Sequence, residues 1–339
     1  MKEPLVSIIM PVYNAESYVK ESVLSVFNQS YRNIELICVD DFSTDNSYSI
    51  CMKLSRDLNI RVYKNDKNRG QEYTRNYGIN KAKGKYITFL DADDKIDSIM
   101  IKMMVEKAEE TEADIVIGTY SKIINNIEYP IELSINEKLY NKNSFINLLL
   151  SDISFDVISC IGSKLYNLSF LKSNNVKFDN SFKYNEDLGF SLTAINKTKK
   201  IYYINYPFYK YLIRKNGSVM SSYRPKMYTT IKNVWIYMKK MFIDCNIYDE
   251  KKDLFLLNIS YLMINSLFNE AKFKGYRDFY KTSTLIRKDA LFIDVFKTKI
   301  NRKHKLILLL IKCRFMKLCY YLLKINIKIK RKKWGHMNV

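Results

Sequence analysis

Two closely spaced carboxylates, Asp91 and Asp93, follow a short apolar segment that ends at Leu90. Side chains of an extended chain alternate with a period of two, so both carboxylates are predicted to lie on the same side of the backbone. Oxygen ligands that leave several coordination positions open suit Mg²⁺ or Mn²⁺ bridged to a diphosphate, and such a cation would neutralise the charge on a departing diphosphate. Taken alone, the Asp-x-Asp pattern is more typical of a solvated turn after a strand.

A second acidic pair, Glu186 and Asp187, opens a segment with helical periodicity. A hydroxyl group that attacks carbon while a diphosphate leaves needs one base to accept its proton, and a single carboxylate suffices. The pair is equally suited to stabilising the first turn of a helix through the helix dipole. The residues alone leave both interpretations open.

The segments that would position these carboxylates alternate between strand and helix. Apolar, β-branched runs that predict strands begin at Leu5, Ile34, Ile60, Lys85 and Ala113. This alternation predicts an α/β fold with a doubly wound, mostly parallel sheet. Ligands of such sheets bind beyond the carboxyl ends of the strands, so the ends at Pro11, Asp40-Asp41 and Asp91-Asp93 are predicted to converge on one crevice. We expect Pro11 to end the first strand and Asn14 to cap the following helix.

The alternation of strands and helices becomes irregular after Gly118, and the sequence reads as helices from about Tyr223 onward. We therefore predict a domain boundary near residue 220, within about ten residues. The predicted regions are a catalytic domain of 1–220, its halves 1–118 and 119–220, and a helical C-terminal region of 221–339.

Positive charge is concentrated at the C-terminal end. The formal net charge is +21, but residues 301–339 contain 12 Lys and Arg and no Asp or Glu, which leaves +9 for the first 300 residues. The longest uninterrupted apolar run of this tail, Leu306 to Ile311, is too short to cross a bilayer. We expect the tail to lie on an anionic membrane surface as a basic amphipathic segment, or to pack on the catalytic domain as a helix with solvated lysines.

Four ordered sequence blocks resemble the family 2 glycosyltransferases of the GT-A fold, including those that build bacterial capsule and lipopolysaccharide. The blocks are Val6 to Asn14, Val39 to Asp45, Asn68 to Ile87, and Thr88 to Asp94. Any one block would be a weak signal, whereas four in the right order are specific. The resemblance implies a GT-A, Rossmann-like fold, which is the same α/β class that the alternation predicts.

The resemblance also implies which residues bind the nucleotide sugar. The matching positions are Pro11, Val12, Tyr13, Asp40, Asp41, Arg75, Asp91, Ala92 and Arg214. Either Asp40 or Asp41 is expected to pair with the nucleobase, and the sequence does not choose between them. Arg75 is expected to help bind the nucleotide, and Arg214 to reach the diphosphate.

Metal and base are assigned on the same resemblance. Asp93 is expected to ligate Mn²⁺ or Mg²⁺, while Asp91 faces the ribose and is a second candidate ligand. The acidic pair resembles the family's Glu-Asp motif, which makes Asp187 the expected base and Glu186 the second choice. Phe42 departs from the family pattern, in which glycine is usual at this turn.

These features predict an inverting transferase that moves one sugar from a nucleoside-diphosphate donor, preferably UDP-linked, to a surface-glycan or lipid-linked acceptor. Processive members carry a Gln-x-x-Arg-Trp segment, but neither Trp235 nor Trp334 follows an arginine, which indicates a non-processive enzyme. The N-terminus lacks the pattern of a secretory signal. We therefore expect a cytoplasmic protein, held peripherally on the inner face of the cell membrane.

A different class of protein would also account for the charge. A non-catalytic binder of RNA or anionic lipid fits the net charge of +21 and the 27 tyrosines. That alternative gives no reason for carboxylates at two of the three predicted strand ends that converge. We therefore expect no nucleic-acid partner.

Overall fold

The computed structural model describes residues 3–213 and 223–334, with side chains described up to residue 327. The chain divides into two compact units. The first comprises Met1–Asn180 and Asn185–Ile213, and the second comprises Ser181–Tyr184 and Arg214–Val339. The domain boundary expected near residue 220 stays a prediction.

The first unit alternates strands and helices. Its strands are β1 Val6–Val12, β2 Ile34–Asp40, β3 Ile60–Lys64, β4 Tyr86–Phe89, β5 Lys95–Ile96, β6 Ile115–Ile124, β7 Ile127–Pro130, β8 Lys138–Asn141, β9 Lys164–Asn167 and β10 Lys200–Leu212. Its α-helices are α1 Val19–Phe27, α2 Ser47–Leu54, α3 Gln71–Lys81, α4 Met100–Thr111, α5 Lys142–Leu148, α6 Phe155–Ser159, α7 Leu168–Ser173 and α8 Glu186–Lys197. A 3-10 turn, Ile161–Ser163, precedes β9.

All of these strands join one sheet in the order β3-β2-β1-β4-β9-β6-β10-β5, with β7 beside β6 and β8 beside β10. The neighbours β3, β2, β1 and β4 run parallel, as do β6 and β10. β9 is inserted antiparallel between β4 and β6. The predicted α/β class with a mostly parallel sheet is confirmed, whereas the insertion of β9 was not anticipated.

The core of the first unit lies around β1 and β2, in which every residue is buried. Largely apolar runs of this kind, here with the buried polar residues Ser7 and Glu35, are typical of parallel strands covered on both faces. Helix α3 approaches β1 closely at Gly78, where an added Cβ would lie 2.5 Å from the side chain of Ile9. This close approach sets the height of α3, the helix that carries Arg75, above the sheet.

The first strand is longer than predicted. We expected Pro11 to end it, but β1 continues through Pro11 to Val12. Proline has no N–H to donate, and the ladder between β1 and β4 already ends at Ile9. The missing donor therefore breaks no hydrogen bond to β4.

The described residues of the second unit form helices: α9 Met227–Asp244, α10 Tyr248–Phe273, α11 Tyr276–Lys288, α12 Ala290–Lys297, α13 Arg302–Lys312 and α14 Met316–Trp334. The predicted helical C-terminal region is thereby confirmed. The last two helices bury one apolar side each, with Leu308, Ile311, Cys319 and Leu323 at most 2% exposed. Among the helices of 3–213 and 223–334, none combines the length and apolarity needed to span a bilayer.

Candidate active site

The carboxyl ends of three parallel strands meet at one edge of the sheet. Val12, the last residue of β1, pairs with Asp40 at the end of β2, and the Asp41 amide donates to the Val12 carbonyl at 2.8 Å. On the other side of β1, β4 ends at Phe89 and leads into Asp91. The predicted convergence of the three strand ends is therefore observed.

The loops that follow β1 and β2 are joined through Asn14. Its backbone amide donates to Ser43 Oγ at 3.1 Å, and its Oδ1 accepts from the Thr44 amide at 2.9 Å. The prediction that Asn14 caps the next helix is wrong, since α1 begins only at Val19. The Asn14 side chain instead ties the two loops together.

Two aromatic side chains of these loops face solvent. Tyr13 is 50% exposed and Phe42 is 46% exposed, whereas Pro11 and Val12 are buried. Phe42 stands where the family usually has glycine, and its φ of 65° lies in the left-handed region that glycine adopts most easily. The turn thus keeps a glycine-like backbone while presenting an aromatic ring.

The two aspartates after β2 differ in how their oxygen atoms are used. Asp41 accepts three hydrogen bonds, each of 2.8 Å, from one side-chain amide and two backbone amides of segment 65–70. Asp40 is 1% exposed, and its Oδ2 accepts from the Ser43 amide at 3.1 Å. Its Oδ1 has no hydrogen-bond partner among the described residues. Because buried acceptors are nearly always paired, Asp40 Oδ1 is the oxygen of this pair that lacks a donor among the described residues.

The segment Asp91-Ala92-Asp93 forms a turn, closed by a hydrogen bond of 3.1 Å from the Asp94 amide to the Asp91 carbonyl. The extended conformation that we expected here is therefore wrong, because the chain turns immediately after β4. Ala92 is buried and its carbonyl accepts from Ser22 Oγ at 2.9 Å, while Asp91 and Asp93 remain partly exposed. We call Asp91–Asp94 the carboxylate turn.

The carboxylate turn provides too few oxygen ligands to hold a metal ion alone. It suits an ion whose remaining coordination positions are filled by a bound substrate. Asp91 and Asp93 offer hard oxygen atoms, which Mg²⁺ and Mn²⁺ prefer. Within residues 3–213 and 223–334, no cluster of three or more His, Cys, Asp or Glu could hold a metal ion by itself. Two carboxylates plus a diphosphate is a set that Mg²⁺ commonly accepts.

Asp94, the last residue of the carboxylate turn, points into the protein interior. It is 1% exposed and accepts from the Leu212 amide at 2.8 Å and from Tyr209 Oη at 2.7 Å. Burial, with a contribution from nearby Asp91, raises the pKa of Asp94 to about 8. The sequence assigned a role neither to Asp94 nor to Tyr209, although Tyr209 lies in a segment that resembles the family.

Arg75 lies buried between two carboxylates. Its Nη1 donates to Asp187 Oδ1 at 2.6 Å and its Nη2 donates to Asp91 Oδ1 at 2.8 Å. Burial alone would lower the pKa of Arg75, but Asp187 and Asp91 raise it above its usual range. The residue that we expected to help bind the nucleotide thus joins the candidate base to the carboxylate turn, and its contact with a nucleotide stays a prediction.

The acidic pair begins α8, and both side chains have shifted pKa values. Burial raises the pKa of Asp187 to about 6, although Arg75 opposes the shift. Burial likewise raises the pKa of Glu186 to about 7, with a further contribution from Glu72. A carboxylate whose pKa lies near 6 is still ionised at neutral pH and is a better proton acceptor than an ordinary aspartate. The side chain of Asp187 is 32% exposed and can therefore be reached by a substrate.

A buried lysine adds positive charge near the candidate base. Lys164 is 0% exposed, and its Nζ donates to the carbonyls of Val157 at 2.8 Å and Cys160 at 2.6 Å. Burial lowers the pKa of Lys164 to about 8, and its charge in turn favours the ionised form of Asp187. Arg214, the remaining predicted site residue, lies outside the described residues.

Comparisons with known proteins agree with this geometry. Residues 7–162 match the family model for Glycosyl transferase family 2. Glycosyltransferase GlyG of Streptococcus pneumoniae serotype 4 is 33% identical over 231 residues, which are 64% of this chain and 73% of GlyG. Poly(ribitol-phosphate) beta-glucosyltransferase of Bacillus spizizenii is 34% identical over 221 residues, which are 64% of this chain and 33% of that relative. The chain spans less than two thirds of the length of two further curated relatives, 31% of one and 65% of the other.

A solved structure shares the fold. The crystal structure of S. aureus TarS 1-349 in complex with UDP-GlcNAc superimposes with a TM-score of 0.68 at 19% identity, covering 96% of this chain and 92% of that one. The sheet and its carboxylate-lined edge define a protein of the GT-A glycosyltransferase class. The chain belongs to family 2 of the glycosyltransferases, which confirms the resemblance seen in its sequence.

Proposed function

We propose that this protein is an inverting, non-processive glycosyltransferase that moves one sugar from a UDP-linked donor to a surface-glycan or lipid-linked acceptor. The observation that carries the proposal is the position of Arg75, whose two terminal nitrogens bind the candidate base Asp187 and the carboxylate-turn residue Asp91. One rigid guanidinium holds these two groups a short distance apart. An inverting displacement needs this closeness, because the base and the departing diphosphate act on opposite sides of one anomeric carbon.

The environment of Asp40 is an argument for uridine as the nucleoside of the donor. Its Oδ1, at the end of β2, has no hydrogen-bond donor among the described residues, and a carboxylate oxygen accepts hydrogen bonds. Uracil presents an N3–H donor, whereas cytosine presents an acceptor at the same ring position. TarS, which shares the fold, has been crystallised with UDP-GlcNAc and with UDP.

Replacing Asp40 by Asn tests this assignment. The Ser43 amide donates to one oxygen of Asp40, and the oxygen of asparagine would keep this bond. The amino group of asparagine would then face the nucleobase, so that a hydrogen-bond donor replaces the acceptor Oδ1. We expect UDP to bind roughly 10- to 100-fold more weakly and the preference for UDP over CDP to shrink, as measured by calorimetry. Asp41→Asn is the comparison: it should lower thermal stability, because all three bonds from segment 65–70 depend on Asp41. An unchanged UDP affinity in Asp40→Asn would remove Asp40 from the nucleotide site.

The proposal includes Mn²⁺ or Mg²⁺. Asp93 would hold the ion, with the oxygen of Asp91 that does not bind Arg75 in support. When bound, the ion would neutralise the charge that develops on the departing UDP. The protein's own contribution is to keep the carboxylate turn in place and the base ionised.

The experiment that tests the function is a screen of nucleotide sugars. Purified protein with Mn²⁺ and a glycan or lipid-phosphate acceptor should release UDP from at least one UDP-sugar, and not the corresponding nucleotide from GDP- or CDP-sugars. A poly(ribitol-phosphate) polymer is one acceptor to include, because one relative is a poly(ribitol-phosphate) beta-glucosyltransferase. If no nucleotide is released from any donor, the proposed function is wrong.

We further propose that the C-terminal helices hold the enzyme on an anionic membrane surface, at the inner face of the cell membrane. Helices α13 and α14 bury one side in their own unit, yet their other side is also apolar. The large apolar side chains of these helices and of the connection between them that are at least 42% exposed are Leu306, Leu309, Phe315, Leu318, Tyr321, Leu322 and Ile325. Apolar surface of this kind among lysines, with no acidic residue in 301–339, is typical of helices that lie in a bilayer interface.

A double substitution, Leu318→Ser with Ile325→Ser, checks the membrane proposal. Binding to phosphatidylglycerol vesicles should fall about tenfold or more, because each side chain contributes several buried carbons at roughly 0.8 kcal/mol per CH₂. UDP release from the donor alone should not change. Ile127→Ser, at a residue of β7 that is 57% exposed, is the matched control and should bind vesicles normally. Equal binding of the double variant and the control would contradict the proposal.

A further inference from the structure

A buried tyrosine and a buried aspartate connect the carboxylate turn to β10, the last strand along the chain. Tyr209 Oη donates to Asp94 Oδ2 at 2.7 Å and accepts from the Asp91 amide at 3.2 Å. The other oxygen of Asp94 accepts from the Leu212 amide at 2.8 Å. Tyr209 and Asp94 are 4% and 1% exposed. Both ends of the turn are thus connected to β10 by groups that water does not reach.

The ring of Tyr209 occupies a space that the chain leaves open for it. A Cβ added at Gly162 would lie 2.1 Å from the Tyr209 ring and 2.8 Å from the carbonyl of Phe89, the last residue of β4. On the strand itself, Tyr209 is paired with Tyr120 of β6 and with Ile96 of β5. The hydroxyl therefore has a position set by the sheet and not by the turn that it contacts.

We infer that Asp94 and Tyr209 are positioning residues, which set where Asp91 and Asp93 present their carboxylates to the donor and its cation. The inference rests on the proposed function. Sites that recognise a diphosphate tolerate displacements of about half an ångström before affinity falls. A turn of four residues with two partly exposed carboxylates that repel each other needs an outside support, and β10 supplies it.

The test is Tyr209→Phe, which keeps the ring in the space beside Gly162 and removes only the hydroxyl. Tyr203→Phe is the matched control, because Tyr203 lies on the same strand, is 0% exposed and donates to Asn205 Oδ1 at 2.7 Å, away from the turn. Tyr209→Phe loses the two hydrogen bonds of its hydroxyl and Tyr203→Phe loses one, so both variants should lose thermal stability, Tyr209→Phe the more. A merely structural role would change stability alone and leave the Mn²⁺ and UDP-sugar dependence of both variants equal.

Only Tyr209→Phe should change the turn and the donor site. We expect faster hydrogen exchange at the Asp91 amide, and an increase of about tenfold in the Mn²⁺ concentration for half-maximal activity and in KM for the UDP-sugar, with a smaller change in kcat. Asp94→Asn should give a similar change, and the double variant should be no worse than either single one, because the two residues act as one support.

Two outcomes separate this inference from the proposed function. If wild-type protein turns over no nucleotide sugar, the proposed function fails, and exchange at Asp91 alone decides whether the pair holds the turn. If Tyr209→Phe exchanges like wild type at Asp91, or changes the Mn²⁺ dependence no more than Tyr203→Phe does, the inference is overturned.

Discussion

Replacing Asp187 by Asn is expected to lower kcat for sugar transfer about 10³-fold, the size of effect that general bases typically contribute. The acceptor hydroxyl must lose a proton as it attacks, and asparagine cannot take it up. The side-chain oxygen of asparagine can still accept from Arg75, so the neighbouring site should keep its shape. Transfer rates measured with saturating donor, together with calorimetric affinity for UDP, check this expectation: the rate should collapse while the affinity stays close to that of wild type.

The dependence of the wild-type rate on pH follows from the same residue. Burial raises the pKa of Asp187 to about 6, so the carboxylate is ionised above that pH and protonated below it. The rate should therefore fall by about tenfold per pH unit on the acid side, and this limb should be absent in Asp187→Asn. Glu186→Gln is the natural comparison. If Glu186→Gln abolishes transfer and Asp187→Asn does not, the base is Glu186, the second candidate of the acidic pair.

Replacing Asp93 by Ala is expected to lower kcat/KM for the UDP-sugar about 10³-fold and to remove the response to Mn²⁺, because the departing diphosphate would lose the proposed ion that neutralises its charge. Asp93 is partly exposed on the carboxylate turn, so its removal should leave the fold intact. Titration of the variant with Mn²⁺ in the nucleotide-release assay measures both effects.

A surface carboxylate provides the control for Asp93. Glu21→Ala removes an acidic group that pairs with Lys95 at 3.2 Å and whose side chain is 61% exposed. An exposed pair of this kind contributes little, so activity and metal response should match wild type. Full Mn²⁺-dependent turnover in Asp93→Ala would show that the metal assignment is wrong.

The sequence allowed the parallel half of the sheet to be predicted, because β1, β2 and β4 are largely apolar runs that are followed by polar residues. It did not allow β9 to be predicted, since four residues at Lys164–Asn167 carry no usable periodicity and their antiparallel pairing depends on both neighbours. The prediction that Asp91-Ala92-Asp93 is extended was wrong, because the chain turns immediately after β4.

The sequence alone determined the α/β class, the carboxylates at two strand ends, the acidic pair that begins a helix and the helical C-terminal region, because local periodicity and residue chemistry can be read from neighbouring positions. Only the tertiary structure decided which groups work together. Arg75 meets Asp187 across 112 positions, and Tyr209 meets Asp94 across 115. Asp40 and Asp41 are the same residue type side by side, and their different uses depend on hydrogen bonds from segment 65–70. Such pairings arise from burial and from the geometry of the sheet, and no pattern of adjacent residues encodes them.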